Sequence, residues 1–307
     1  MKKYTHIDDI DHLPSWIKEA KALKKNPLKD QELGKNKTIG LLFFNPSLRT
    51  RLSTQKAALN LGMNPIVMNI SEDAWGIEFG NKTVMNGSTA EHIKEAAAVV
   101  SQYCDVIAVR AFPSLTDKEK DESEEVLAAF LKYATVPLIN MESATGHPLQ
   151  GLTDAITISE NTTKKRPKVV LSWAPHVKEL PHAVGNSFIK AMQKMDVELV
   201  IANPKGYDLN PDITKNTPIY HNQKEAFKDA DFVYAKNWSS YEDYGKIIKT
   251  DTNWMIRKEK LGKAKFMHCL PVRRNVVVED AVLESDNSLV IEQANNRTFA
   301  AQLVLKK

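Results

Sequence analysis

The chain has 307 residues, 42% hydrophobic and 26% charged, with a formal net charge of +4. That length exceeds one small core and points to two domains, while the small net charge and the lack of basic residues clustered with aromatics argue against a nucleic-acid partner. Cys104 and Cys269 make neither a disulfide framework nor a Cys-x-x-Cys metal pair, no apolar signal core follows Met1-Lys2-Lys3, and no apolar run approaches membrane-spanning length, so a cytoplasmic protein with no membrane partner is expected.

The first expected strand is Thr38 to Phe44, followed by the turn Asn45-Pro46. Ser47 is a good N-cap for the helix that comes next. Leu48, Leu52 and Leu59 fall on one face of it, and Gly62 is placed to end it. Pro65 to Ile70 is predicted as a strand and Thr89 to Tyr103 as a helix. Asp105 to Arg110 reads as a buried strand ending in arginine, Glu119 to Tyr133 as a helix, and Val136 to Met141 as a strand that stops before Glu142. Gln150 to Ser159 is helix-like and joins the two halves. Strands are then expected at Lys168 to Trp173, Val197 to Ile201, Asp231 to Ala235, Lys265 to Leu270 and Leu289 to Ile291. Helices are expected at His182 to Met195, at Lys224 to Lys228 and in the tail after Asn295. This alternation predicts an α/β chain with two doubly wound parallel-sheet domains and the active site between them. The expected units are residues 1–146, residues 147–294 and a C-terminal helix over 295–307.

In such sheets ligands bind beyond the carboxyl ends of the strands. Ser47, Arg110, Glu142, Lys236 and Cys269 each lie at or just after the end of an expected strand. The segment Ser47-Leu48-Arg49-Thr50-Arg51 brings a hydroxyl, two guanidinium groups and free backbone N–H groups to one helix start. That arrangement suits a phosphate. It also reads as a plain helix cap with surface arginines, but cations in a first helical turn oppose the helix dipole unless an anion is present. His147-Pro148-Leu149-Gln150 adds an imidazole and an amide at a strand-to-helix junction. The imidazole is suited to donating to a developing oxyanion. Cys269, in His268-Cys269-Leu270-Pro271, has no ligand-spaced partners and no evident base, so neither a metal nor a nucleophile leads. Trp75 sits in a loop-like stretch, as a packing anchor or as a cover over a ligand at a subunit contact. None of the twelve glycines are two apart, so the Gly-x-Gly-x-x-Gly dinucleotide signature is absent, as are Walker A and Gly-x-Ser-x-Gly sequences.

These motifs together resemble the transcarbamylase family, and within it the N-acylornithine carbamoyltransferase group, through nearly the whole chain. Phe44 to Arg51 looks like the family's carbamoyl phosphate motif. His147 to Gln150 is similar to its His-Pro-x-Gln motif, and His268 to Pro271 matches the ornithine branch. Ordinary ornithine carbamoyltransferases carry a Ser-Met-Gly segment. This chain has none, and reads Tyr234-Ala235-Lys236-Asn237-Trp238 at the comparable place.

The resemblance implies transfer of a carbamoyl group to the δ-amine of an acylornithine in arginine biosynthesis, with no metal and no cofactor. Ser47, Leu48, Arg49 and Thr50 would bind the phosphate, and Arg110 would bridge phosphate and carbamoyl oxygen. His147, Pro148, Leu149, Gln150 and Arg297 would hold the carbamoyl end, and Cys269 and Leu270 would offer carbonyls to the amine. Arg49, Thr50, Arg110, His147 and Cys269 form the implied catalytic set. Glu142, His176, Lys236, Leu270 and Arg274 would contact the acylornithine. Trp75 would reach a neighbour's site in a homotrimer with shared active sites. Ala90 stands where the acetyl type carries glutamate and the succinyl type proline, and a small uncharged residue there favours succinyl. Positive charge for the acyl end would come from His176, Lys178 and Arg274. An acetylornithine enzyme, an ordinary ornithine enzyme and a non-catalytic phosphometabolite-binding protein are the rival readings.

Overall fold

The computed structural model describes residues 1–248 and 254–307. Its first half is a parallel five-stranded sheet. In chain order the strands are β1 (Lys3–Tyr4), β2 (Thr38–Phe43), β3 (Asn64–Asn69), β6 (Val106–Arg110) and β7 (Leu138–Glu142), and β4 (Ile77–Glu78) and β5 (Glu91–His92) form a separate small ladder. The spatial order is β1-β7-β6-β2-β3. The second half is another parallel sheet, built from β8 (Lys168–Trp173), β9 (Glu198–Ala202), β10 (Ile219–Tyr220), β11 (Phe232–Lys236) and β12 (Lys265–Met267), in the order β10-β9-β8-β11-β12. Apolar runs such as Ile39 to Phe43 and Val169 to Leu171 are buried throughout, as parallel strands covered on both faces must be. The expected α/β architecture with two parallel sheets is therefore present.

Register decides what each sheet presents. Phe43 pairs with Arg110, and Arg110 with Glu142, so three strand ends meet at one edge of the first sheet. In the second sheet Lys236 pairs with Trp173, and the chain leaving β8 leads to His176. Both sets of strand ends open onto one cleft.

The helix Pro148–Glu160 connects the halves. Pro148 at its first position presets the backbone and gives up an N–H that has no intrahelical partner there. Residues Pro148 to Ile158 are all buried, so this helix has no solvent face and acts as the spine of the molecule. The C-terminal helix, Val290–Lys306, packs on that spine and also on the helices Leu13–Lys25 and Arg49–Asn60 of the first half. On the far side, Tyr244 donates to Asp121 Oδ2 and Tyr241 to Glu122 Oε1, both at 2.9 Å. Gly245, at φ +73°, fits there because a Cβ would stand 1.8 Å from the Leu115 carbonyl oxygen.

Several expectations need correction. Leu289 to Ile291 is not a strand. Only Ser288 bridges to Phe266, and the C-terminal helix begins at Val290 rather than after Asn295. A β-branched apolar pair looks like a strand, yet Val290 opens a 17-residue helix as a buried residue and Ile291 faces outward, 74% exposed. Ser47 is not the N-cap. That position is Leu48, with no side-chain cap bond, and the helix runs Arg49–Asn60. Leu48, Leu52 and Leu59 share a face that points outward, at 64%, 57% and 53% exposure. The inward face carries the smaller Thr50, Thr54, Ala57 and Ala58, which permit close approach of the C-terminal helix. The expected helix over Glu119 to Tyr133 is two helices, Lys118–Glu122 and Glu125–Tyr133, broken at Glu124 with φ +54°.

Candidate active site

The cleft between the sheets has a volume of about 830 Å³. Its first wall is the start of the helix Arg49–Asn60. With no side-chain cap, the leading N–H groups are left for a ligand, and Ser47, Leu48, Arg49 and Thr50 all line the cleft. Thr50 is buried, and its Oγ1 accepts from Arg297 Nη2 at 2.7 Å and from Arg110 Nη1 at 3.3 Å. Thus the C-terminal helix delivers a cation to the other end of the chain. Arg49 is half-buried, and burial, followed by the nearby Arg110 charge, lowers its pKa. Three guanidinium groups this close repel one another, and a bound anion relieves that repulsion.

Arg110 is buried at the end of β6 and forms a close ion pair with Glu142 at the end of β7. Glu142 Oε2 also lies 3.5 Å from His147 Nε2. His147 is fully buried. Burial first, then the charges of Arg297, Arg110 and Lys236, hold its pKa well below the usual value, so the ring is neutral. A neutral imidazole can donate one hydrogen bond to a carbonyl oxygen without carrying its own counter-ion. Its backbone N–H donates to Ser187 Oγ at 2.7 Å, which ties the ring's position to the second half. Gln150 sits behind His147: its Oε1 accepts from Arg297 Nη1 and its Nε2 donates to Asp154 Oδ1, both at 2.7 Å. Pro148 and Leu149 are buried helix residues and do not line the cleft.

The opposite wall comes from the second sheet. Lys236 ends β11 and faces the cleft beside His176 and Lys178. Cys269 and Leu270 follow β12, which ends at Met267, earlier than the strand expected through Leu270. The Leu270 N–H donates to His268 Nδ1 at 2.9 Å, and Leu270 takes the left-handed region at φ +56°. His268 is buried and, like His147, held well below its ordinary pKa by burial first.

Not every expected residue reaches the cleft. Arg274 does not: its Nη1 is ion-paired at 2.8 Å to both Asp280 and Glu284 on the surface, and its neighbour Arg273 lines the cleft instead. Adjacent arginines in a turn carry no periodicity that tells which faces inward. Trp75 and Ala90 lie in the segment that holds β4 and β5. Trp75 is 58% exposed and donates to Glu91 Oε2 at 2.7 Å, the Ala90 N–H donates to the Gly76 carbonyl at 3.0 Å, and neither lines the chain's own cleft. Among the described residues no cluster of three His, Cys, Asp or Glu has metal-binding geometry, and no helix is long and apolar enough to cross a membrane.

The carbamoyl-P binding domain of aspartate/ornithine carbamoyltransferase matches residues 2–160, and the Asp/Orn binding domain matches residues 181–306. The chain belongs to the aspartate/ornithine carbamoyltransferase family. Within that family it is 48% identical to the N-succinylornithine carbamoyltransferase of Bacteroides fragilis (strain 638R), over 100% of this chain and 98% of that one. It is 37% identical to the N-acetylornithine carbamoyltransferase of Xanthomonas campestris pv. campestris, over 95% and 93%. Among solved structures it superposes with a TM-score of 0.92 on a glutamate-to-alanine variant of N-acetyl-L-ornithine transcarbamylase complexed with carbamyl phosphate and N-succinyl-L-norvaline. Identity there is 36%, and 99% of each chain is covered.

Proposed function

We propose that the protein transfers the carbamoyl group of carbamoyl phosphate to the δ-amine of N-succinyl-L-ornithine, giving N-succinyl-L-citrulline and phosphate, in cytoplasmic arginine biosynthesis. The observation that carries the transfer is the cation-lined, uncapped helix start facing a neutral, buried His147. The helix N–H groups, Ser47 and Arg49 hold the phosphate. Thr50, Arg110 and His147 stabilise the oxyanion as the amine forms the new C–N bond. The C–O bond to phosphate then breaks, and the departing phosphate takes the amine proton. Holding two reactants in line contributes about 7–11 kcal/mol in well-oriented cases. Lys236, His176 and Arg273 place the acceptor's carboxylates, with the carbonyls of Cys269 and Leu270 toward its amine.

The succinyl assignment rests on the 48% identity to a succinylornithine enzyme and on Ala90. A neighbour that has lost one glutamate binds N-succinyl-L-norvaline. Ala90 stands where the acetyl type carries glutamate, a charge that would repel a succinyl carboxylate. Ala90 and Trp75 do not line their own cleft, which is compatible with their acting in a neighbour's cleft within a homotrimer. Exposed Leu48, Leu52, Trp75, Val84 and Met85 supply the apolar surface for that contact. A fully active monomer by light scattering would overturn the shared site. Assays with carbamoyl phosphate and ornithine, acetylornithine or succinylornithine test the reaction, with succinylornithine expected to give the highest kcat/KM. Ala90→Glu is expected to reverse the succinyl-over-acetyl preference, and an unmoved ratio would exclude Ala90 as the reader of the acyl group.

A further inference from the structure

Behind the cleft lies a buried carboxylate with no part in the reaction as described. Asp154, two turns into the spine helix, is fully buried. Its Oδ1 accepts from two amides at 2.7 Å each, Gln150 Nε2 on its own helix and Gln293 Nε2 on the C-terminal helix. Both amides are themselves buried. Each has its other end committed. Gln150 Oε1 accepts from Arg297, which holds Thr50. Gln293 Oε1 accepts from the His268 N–H at 3.0 Å, at the root of the loop carrying Cys269 and Leu270.

An amide has one donating and one accepting end, and a flip exchanges them. Arg297 only donates, and so does the His268 N–H. Both glutamines must therefore show oxygen to the cleft side and nitrogen to Asp154, and an acceptor between the two nitrogens enforces this. We propose that Asp154 is a positioning residue: its carboxylate orients Gln150 and Gln293, and through them aligns the carbamoyl phosphate wall with the Cys269–Leu270 loop. This rests on the carbamoyl-transfer reading above.

The groups around Asp154 fit the role. Arg297 from the C-terminal helix and Tyr234 from β11 face it, and the Cys269 side chain lies beyond Tyr234. Burial pushes the Asp154 carboxyl up to about 7, against the hydrogen bonds from Gln150 and Gln293 and the charge of Arg297. Asp154 Oδ2 has no amide partner, and the Tyr234 hydroxyl beside the carboxyl acts, with the two amides, to lower its pKa. A proton on Asp154 therefore resides at Oδ2, and Oδ1 accepts from both amides whether or not the group is ionised.

Steady-state kinetics with each substrate varied in turn tests the proposal on wild type, Asp154→Ala, Asp154→Asn and Gln293→Leu. Asp154→Ala frees both amides and is expected to lower kcat at least tenfold and raise both KM values. Asp154→Asn keeps an acceptor oxygen and is expected to stay within about threefold of wild type. Gln293→Leu cuts only the arm to His268, so the acceptor KM is expected to rise at least fivefold, with that of carbamoyl phosphate within twofold. A folded Asp154→Ala protein with all constants within twofold of wild type overturns the proposal. If circular dichroism shows that Asp154→Ala does not fold, Gln293→Leu decides, and any pattern other than the acceptor-only shift overturns it. Turnover by the wild type tests the proposed function, whereas ratios between variants test Asp154, so the two failures read differently.

Discussion

The two walls of the cleft are built to different standards. On the phosphate wall Thr50, Arg110, Glu142, His147, Gln150 and Arg297 are all buried; side-chain hydrogen bonds or an ion pair link all but His147 into one net, and the His147 Nε2 lies 3.5 Å from Glu142 Oε2. On the acceptor wall Lys178 and Arg273 are exposed, and His176 and Lys236 are half-buried. Dipoles fixed before the ligand arrives stabilise developing charge without reorganising, which suits a group that is the same in every turnover. Loop-borne, partly solvated cations cost less to rearrange and suit the acyl end, where relatives differ. The contrast says where chemistry is fixed and where specificity is free to change.

The largest test of the contrast is Arg110→Leu. It leaves Glu142 buried and uncompensated, so it is expected to cost about 3–5 kcal/mol of stability. Carbamoyl transfer should be lost with it, and thermal denaturation together with activity checks both. A variant as stable as wild type would show that the wall is not a net. Arg49→Ala comes next. Arg49 lies at the cleft edge of that wall, and its loss is expected to remove about 1.5–3 kcal/mol of transition-state stabilisation. Initial rates should show this while the melting temperature barely moves. Unchanged carbamoyl phosphate affinity and turnover would remove Arg49 from the site. Lys236→Ala tests the softer wall. An expected cost of about 1 kcal/mol appears as a roughly fivefold rise in the acceptor KM alone. A rise in the KM for carbamoyl phosphate instead would place Lys236 on the wrong wall.

A further test is in pH. Burial holds His147, His176, His182 and His268 below the usual value of 6.5. The unfolded chain then binds more protons than the native one below about pH 6.5, so stability is expected to fall as pH drops through that value. Asp154 has the opposite sign. Its native carboxyl is raised from 3.8 to about 7, so its contribution falls as pH rises through that window. Chemical denaturation of wild type and Asp154→Asn at several pH values separates the two. The variant should gain stability relative to wild type between pH 4 and 7, and a constant difference would contradict the raised pKa.

Much of the phosphate wall was legible because its parts are local. Ser47 to Thr50 are contiguous, and Arg110 and Glu142 each close an apolar run that reads as a strand. What escaped the sequence depends on register or long range. The pairing of Arg110 with Glu142 follows from β6 and β7 being neighbours, which no local pattern states. Arg297 meets Thr50 from 247 positions away. The helix Leu13–Lys25 has a clear apolar spacing at Leu13, Trp16, Ile17 and Ala20, yet it lies before the first expected element. The outward Leu48, Leu52 and Leu59 show the converse: a stripe can mark a helix without marking its buried side.

The C-terminal helix has a consequence for synthesis. Ribosomes make the first sheet, with Ser47 and Arg110, long before residue 297 leaves the exit tunnel. Until then Thr50 lacks one cation and Gln150 Oε1 the donor it accepts from. A chain that stops before Arg297 therefore carries an unfinished pocket. Placing a cation of the first wall in the helix Val290–Lys306 makes the completed pocket depend on two segments that lie far apart along the chain.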